Sequence, residues 1–575
     1  MVSSCSSMQI FLLIIALVLG IPVTIIVGIA LYDRFFQTKN VLLGNFPFIG
    51  RGRDLMHRLR PLMRQYFGDD DSFTPRIIVD WILNVATGKT GYFSFDKFDT
   101  TSSLHDGNHQ MKHSATPYNL DEMEPVYPLV GPQRKHPFQM HGYFYRSAMS
   151  LGSLGFEATS AMAAACRDAD AAFNTGEGSL SVHHIPRVPF SYQQFFTYKK
   201  VPKITKLFWW MMPGKRMKNH FVDFLGNWKC SKDLRDLYLF SEKEWTFYTI
   251  DWNASQECFP APQDLNEDFG HIILQVSSSL YGLRQKTKDG SVKLDWDRFR
   301  KVSSFCNMIE IKLAQGAKQT GGILKAKKNT PTIAEIRGVH PNIDLISPNR
   351  FPFLEEGKIR EFYEYLEKIS EMSGGKPVGF KTVISDESSI EPFVKVLAEL
   401  PKGKGPDFIT IDGGDGGTGA APIALGILFG KKIYEALDIV DRVLREYGVR
   451  DRVKIFAASK LYAPHMSARA MALGADAIGN ARSIMIAGGC IRAGVCSGEE
   501  GDCPVGLATM DKGKRRAYAQ TWDKKVEQIQ NYIKAHNKGL VQVAAVCGVK
   551  SPHLLERKHI VSPTRIRMET ALGVA

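Results

Sequence analysis

At 575 residues, with 44% hydrophobic and 23% charged residues, the chain has the composition of a protein with a packed core and the length for one large domain plus further segments. Those figures, with a mean hydropathy of −0.16, exclude a wholly disordered chain and a polytopic membrane protein. The formal charge of +14 would suit nucleic acid or an anionic membrane face, but no nucleic-acid-binding motif accompanies it, so no nucleic-acid partner is expected. Nine cysteines are too few and too scattered for a disulfide scaffold. Three of them cluster, which points to inorganic chemistry in a reducing compartment.

The first element is apolar. Residues 9–32, QIFLLIIALVLGIPVTIIVGIALY, run for about 24 positions without a charge, long enough as a helix to cross a ~30 Å hydrocarbon core. Pro22 would kink such a helix, which membrane helices tolerate. A cleaved signal peptide ending near Gly28-Ile29-Ala30 fits less well, because Met1–Met8 contain no Lys or Arg and the apolar stretch is long. Arg34, Lys39, Arg51, Arg53, Arg58, Arg60 and Arg64 follow, against only Asp33 and Asp54. The positive-inside rule then places the body on the cytosolic side. A single-pass anchor over 1–33 and a polar, loop-rich lead-in over 34–142 are expected.

Beyond residue 142, short apolar runs alternate with helical patterns, as in βα units. Eight strands are predicted: YFYRSAM (143–149), AAFN (171–174), HIILQVS (271–277), MIEIKLA (308–314), VGFKTVI (378–384), DFITID (407–412), VKIFAA (453–458) and ADAIGN (475–480). That count is the one for an α/β fold of the (β/α)8 TIM-barrel type, here over 143–535 with a C-terminal extension over 536–575. A doubly wound open sheet is the alternative. The second and third strands are separated by almost a hundred residues, which implies a large insertion, about 182–268. It is rich in aromatics, and KLFWWMMPGKRMKNHF within it mixes apolar bulk with basic residues. The core of an inserted subdomain is the favoured reading of those aromatics, and an interfacial membrane segment the other.

Chemistry concentrates at the predicted strand ends. PDFITIDGGDGGTGAAP (406–422) ends a strand in five glycines within seven residues, where backbone can approach a ligand and N–H groups can bind its oxygens. NARSIMIAGGCIRAGVCSGEEGDCPVGLATMD carries Cys490, Cys496 and Cys503, and closely spaced cysteines ending in Cys-Pro suit thiolate ligation of an iron–sulfur cluster. Zinc would want a fourth ligand, and no His lies nearby in sequence. Asn480 to Arg482 could offer N–H groups and a guanidinium to a phosphate. Lys381 sits inside an apolar strand, where it must close an ion pair or face a ligand. IEIKLAQGAK puts Gln315, Gly316 and Lys318 after the fourth strand, and NTGEG puts Glu177 after the second.

Taken in order, SAMSLGS, FNTGEG, IEIKLAQGAK, TPTIAEIRGV, LISPN, SGGKPVGFK, DGGDGGTGAAP, ALGADAIGNAR and GGCIRAGVC…CPVGLATMD resemble the FMN-binding synthase domain of the glutamate synthase family, from about Arg146 to Ala535. The chain is most similar to the short, membrane-anchored branch that lacks a glutaminase domain. The resemblance implies FMN in a barrel and a [3Fe–4S] cluster on Cys490, Cys496 and Cys503. It also implies reduction of 2-iminoglutarate, formed from 2-oxoglutarate and ammonia, to glutamate. Met149 and Ser150 would line the flavin, and Gln315 and Lys381 would reach its ring. Gly416, Gly417, Ala481 and Arg482 would hold its phosphate, while Glu177 and Lys318 would orient substrate and deliver a proton. With no glutaminase domain and no GxGxxG dinucleotide fold expected, electrons would come from a separate donor, ferredoxin-like or a membrane carrier. A flavin and iron–sulfur oxidoreductase with another substrate, or a cofactor-poor interaction module tethered to a membrane, are the alternatives. Departures include Ser459 where the family usually has Gly, and the lengthened SGEEGD loop before Cys503.

Overall fold

The computed structural model describes residues 18, 20–33, 47–48, 51–52, 76–89, 110–185, 196–229, 237–242, 245–265, 269–288, 291–318, 321–349, 358–414, 416–417, 419, 421, 429–497 and 502–561. The chain forms two compact units, residues 1–70 and 71–575. In the first, residues 20–33 are helical and leave Ile21, Val23, Ile25, Val27 and Leu31 exposed. Asp33 ends this helix and is buried under Arg51, whose Nε donates to it at 2.8 Å. Among the described residues no helix is long and apolar enough to cross a membrane. Residues 9–17 and 19 of the predicted anchor lie outside the described residues.

The larger unit is built on a closed barrel of eight parallel strands. They are β1 (Phe144–Arg146), β2 (Ala172–Asn174), β3 (His271–Val276), β4 (Met308–Lys312), β5 (Val378–Val383), β6 (Phe408–Asp412), β7 (Lys454–Ala458) and β8 (Ala477–Asn480). Each pairs with the one before it, and β8 closes on β1 through Ile478 opposite Phe144. All eight predicted strands are present, trimmed by up to three residues at an end, and closure excludes the open sheet.

The helices are α1 (Arg76–Ala86), α2 (Phe156–Asp168), α3 (Lys203–Met211), α4 (Gly214–Lys229), α5 (Trp296–Ser303), α6 (Pro331–Arg337), α7 (Ile359–Met372), α8 (Glu391–Glu399), α9 (Ile433–Glu446), α10 (Pro464–Ala472), α11 (Arg482–Ala487), α12 (Lys512–Ala519) and α13 (Trp522–Val546). α13 is one uninterrupted helix packed on α2 and α10. The expected boundary between barrel domain and C-terminal extension at 535 therefore falls inside it. The reason is packing: Ile529, Tyr532, Ile533 and Leu540 form one buried stripe across that boundary.

Strand periodicity decides what the barrel contains. Residues alternate between the helix-covered outside and the interior. In β4, Ile309 and Ile311 belong to the core shared with the outer helices, while Met308 packs with Phe408, Phe456, Ala477, Ala172, Ile273 and Tyr145. Phe408 stacks on Phe456 at 4.9 Å between ring centroids, and a short hairpin (Leu129–Val130 with Phe138–Gln139) adds Val130, Phe138 and Met140 to the same cluster. Fully burying side chains of this size stabilises the fold by roughly 1.5–3 kcal/mol each. One step further along the strands the interior turns polar: Glu310 accepts from Asn174 Nδ2 (2.8 Å), Gln275 Nε2 (2.6 Å) and Thr410 Oγ1 (2.5 Å). A further step brings the charged residues Lys312, Lys381 and Asp412. The barrel is an apolar plug, a polar floor and a charged mouth in succession.

The insertion between β2 and β3 contains α3, α4 and a three-stranded antiparallel sheet of Phe196–Lys200, Thr246–Ile250 and Leu239–Ser241. Val201, Leu225, Trp245 and Phe247 are its core, with Trp209, Phe221 and Phe240 packed at the edge. The aromatics thus form a subdomain core only in part, for Phe208, Trp210 and Phe224 are exposed.

Candidate active site

Two turns meet above the charged layer. The turn after β4 carries Gln315 to Lys318, and the glycine turn after β6 carries Gly413 to Gly417. Asp412 Oδ2 accepts from the Gly316 N–H at 3.1 Å, and the Gly416 carbonyl accepts from the Ala317 N–H at 2.8 Å. A side chain on Gly316 would collide with the Gly413 carbonyl, and one on Gly417, at φ +70°, with the Gln315 amide. Beneath them Lys381 Nζ lies 3.5 Å from Asp412 Oδ2. Burial pushes the Asp412 carboxyl above its ordinary range, against the pull of the Lys381 ammonium.

Glu177 and Lys318 stand together with Lys312. Lys312 Nζ is 3.0 Å from Glu177 Oε2. Burial would raise the Glu177 carboxyl, but Lys312 and then Arg337 hold it below the usual carboxylate range. The Lys318 ammonium is brought down to about 8 by burial and by Lys312, against the attraction of Glu177. The Glu177 loop is seated by Gly176 (φ +68°), where a Cβ would lie 2.6 Å from the Ser150 nitrogen and 2.8 Å from the Met149 carbonyl carbon. Met149 and Ser150 at the end of β1 are thereby joined to the same mouth.

Cys490, Cys496 and Cys503 are free thiols; Cys490 stands within electrostatic reach of Cys496 and Cys503, and Cys496 within reach of Cys503. Burial pushes Cys490 up to about 11, opposed by a hydrogen bond from the Arg492 N–H at 3.4 Å and by the Arg482 guanidinium. Lys328 Nζ donates to the Cys496 carbonyl at 2.7 Å, so a cation from the β4–α6 connection stands beside the thiols. The charge of Arg482 acts on Cys490 and Cys496. Arg482, predicted for phosphate, thus stands within electrostatic reach of these thiols. Ala481 caps α11, and the Asn480 side chain accepts from the Ser483 N–H at 3.1 Å.

Sequence reading missed Glu310, Lys312, Asp412, Arg146 and Lys328. The first three had a legible signal, since a charge at every second position of IEIK and at the end of ITID marks the interior of a barrel strand. Arg146 is buried at the end of β1, with Nη2 donating to the Asn174 carbonyl at 2.5 Å. Its Nε and Nη1, Asn480 Nδ2 and Ser277 Oγ are buried with no partner among the described residues. They lie at or just beyond the ends of β1, β8 and β3. Unsatisfied donors at one end of the barrel, beside glycine turns that admit backbone contact, fit a large polar ligand. Three interacting thiols with N–H and cationic neighbours fit an iron–sulfur cluster.

At the opposite end of the barrel, His141 Nδ1 and His271 Nε2 each meet one oxygen of Asp170, at 2.8 and 2.7 Å. Among the described residues these three alone bring metal-type ligand atoms within 4.8 Å of one another. The two rings are stacked, 4.8 Å apart and 20° from parallel, so their nitrogen lone pairs do not converge on one ion. The group is a carboxylate clamp across the starts of β1, β2 and β3.

The chain matches the sequence model described as the conserved region in glutamate synthase over residues 82–197 and 246–550, which leaves out most of the inserted subdomain. It is 29% identical over 602 aligned positions to the glutamate synthase large subunit-like protein YerD of Bacillus subtilis (strain 168), with 96% of each chain covered. It is 31% identical over 252 residues to an archaeal-type glutamate synthase (NADPH) of Thermotoga neapolitana, covering 44% of this chain and 45% of that one. A ferredoxin-dependent glutamate synthase of Pyropia yezoensis is 30% identical over 277 residues, 46% of this chain and 17% of that protein. Among solved structures, the flavin-binding domain of baker's yeast flavocytochrome b2 aligns with 91% of this chain and 94% of that one at a TM-score of 0.40 and 12% identity. The family match spans the barrel from α1 to the end of α13 and takes in every predicted site residue, so the chain belongs to the glutamate synthase family and is an oxidoreductase of that kind.

Proposed function

We propose that the barrel mouth binds FMN and that the enzyme reduces 2-iminoglutarate, formed from 2-oxoglutarate and ammonia, to glutamate. Cys490, Cys496 and Cys503 would hold a [3Fe–4S] cluster, which would supply one-electron transfer from a separate donor. The observation that carries this reading is the meeting of the Gln315–Lys318 and Gly413–Gly417 turns over the buried Lys381–Asp412 pair. FMN, when bound, supplies the hydride. Lys381 counters negative charge on its ring, Gln315 hydrogen-bonds it, and Met149 and Ser150 line it. Gly416, Gly417, Ala481 and Arg482 hold the phosphate. Glu177, fixed by Lys312, orients the substrate, and Lys318 gives its proton to the imine nitrogen. Relatives named for ferredoxin and for NADPH support an external electron source. Residues 9–32 tether the enzyme to a membrane with its body on the cytosolic side; their uncharged length and the basic residues that follow support this.

The test is an anaerobic absorbance spectrum of the purified full-length protein. Flavin bands that bleach on chemical reduction and return on adding 2-oxoglutarate with ammonium are expected, and heat should release FMN. A protein purified without flavin overturns the cofactor assignment. Flavin that stays reduced in the presence of both substrates overturns the substrate assignment.

A further inference from the structure

We propose that the outer face of the inserted subdomain docks on an anionic lipid bilayer, through residues separate from the predicted anchor. α3 is the core of this surface. Thr205 and Trp209 turn inward, while Ile204 (67% exposed), Leu207, Phe208, Trp210 (71%) and Met211 turn to solvent. α4 adds Met217 and Phe224. Five exposed large apolar side chains on one nine-residue helix are far from the single scattered residues of an ordinary surface.

Charge selects the occupant. Residues 199–225 contain Lys199, Lys200, Lys203, Lys206, Lys215, Arg216 and Lys218 against one acid, Asp223. Asp223 is itself paired with Arg516 at 2.5 Å, which also fixes the subdomain to α12. Lys218 Nζ stands 4.3 Å from the centre of the Trp209 ring, and Lys206 Nζ 5.8 Å from that of Trp245. Apolar rings and basic side chains on one short helix are the composition of a segment lying in the plane of a lipid interface. At 1.5 Å per residue α3 is about 14 Å long, too short to cross a bilayer, so it lies along the surface. A second copy of the chain would bring the same basic residues together, and repulsion opposes that pairing.

Tryptophan fluorescence tests the proposal on the full chain, because none of the eight tryptophans lies in residues 1–70. The protein is mixed with vesicles of phosphatidylcholine and phosphatidylserine in which the phosphatidylcholine is brominated. Quenching is expected, and the larger part of it should be lost in Trp210→Phe, a conservative change at an exposed site. Replacing phosphatidylserine with neutral lipid, or adding high salt, should weaken it. Quenching equal in wild type and Trp210→Phe overturns the proposal, whatever residues 9–32 do. So does protection of α3 amides from hydrogen exchange that rises with protein concentration without vesicles, since a second copy would then cover this face.

Discussion

The ammonium of Lys318 lies buried beside Lys312 and Glu177. Brought down to about 8, it is a proton donor below that pH and a neutral amine above it. kcat/KM for the reductive reaction is expected to fall above pH 8, and Lys318→Met should lose that limb along with roughly 10²-fold of the rate. The same shift has a stability consequence of opposite direction. Between about 8 and the ordinary 10.5 the unfolded chain binds the proton that the native chain has released, so this group makes stability rise with pH across that window. Lys376 acts alike: burial brings it down to about 8, with Nζ donating to the Ser303 carbonyl at 2.7 Å. Urea midpoints of wild type, Lys318→Met and Lys376→Met from pH 7.5 to 10.5 measure it, and each variant should show a shallower rise. Lys381→Met tests the pair beneath. It strands the buried Asp412 carboxylate, so flavin occupancy should drop, and adding Asp412→Asn should restore folding stability without restoring the rate.

At the scale of elements, the site exists because two connections cross at glycines. Gly316→Ala would force the β4 turn off the Gly413 carbonyl and break the hydrogen bond from its own N–H to Asp412. Flavin content should fall while far-UV circular dichroism keeps its barrel signature, because the strands below do not depend on the turn. These eight strands were legible in sequence, since each is a short apolar run buried on both faces and bounded by turn residues. The glycine turn, Lys381 and the thiol trio were legible as chemistry that an apolar strand or a bare turn does not need. What crosses from one connection to another was not legible. The Gln315 amide against Gly417, Lys312 against Glu177, and Lys328 beside Cys496 join residues 102 to 168 positions apart, and no local pattern records such pairings. The placement of Arg482 among the thiols depends on where the Cys490–Cys503 segment folds back. The outward turn of Trp210 was hidden for a different reason: aromatic content says that a segment is apolar, not which partner covers it.

Across the whole molecule, the cysteine segment ties the barrel's outer parts together. Lys328, from the β4–α6 connection, donates to the Cys496 carbonyl, and Lys327 lies 3.1 Å from Asp502. Just downstream, Arg515 pairs with Glu157 on α2 at 3.3 Å, and Arg516 with Asp223 on α4. Iron held by Cys490, Cys496 and Cys503 would therefore brace a segment on which the β4 connection, α2 and the inserted subdomain all lean. A group that binds only the native arrangement stabilises it in proportion to the logarithm of its excess over Kd. Anaerobic removal of iron is thus expected to raise hydrogen exchange in residues 490–519, then in α2 and α4, while β5 to β7 keep their protection. Thermal unfolding should start several degrees lower, at about 2–4 °C per kcal/mol lost for domains of 150–250 residues and less for a larger one. Cys496→Ser should reproduce the loosening without a chelator and remove the low-temperature spin-resonance signal of a three-iron cluster. If that variant retains full iron and an unchanged signal, Cys496 is not a ligand; stoichiometric zinc in place of iron in the native protein would sink the cluster altogether.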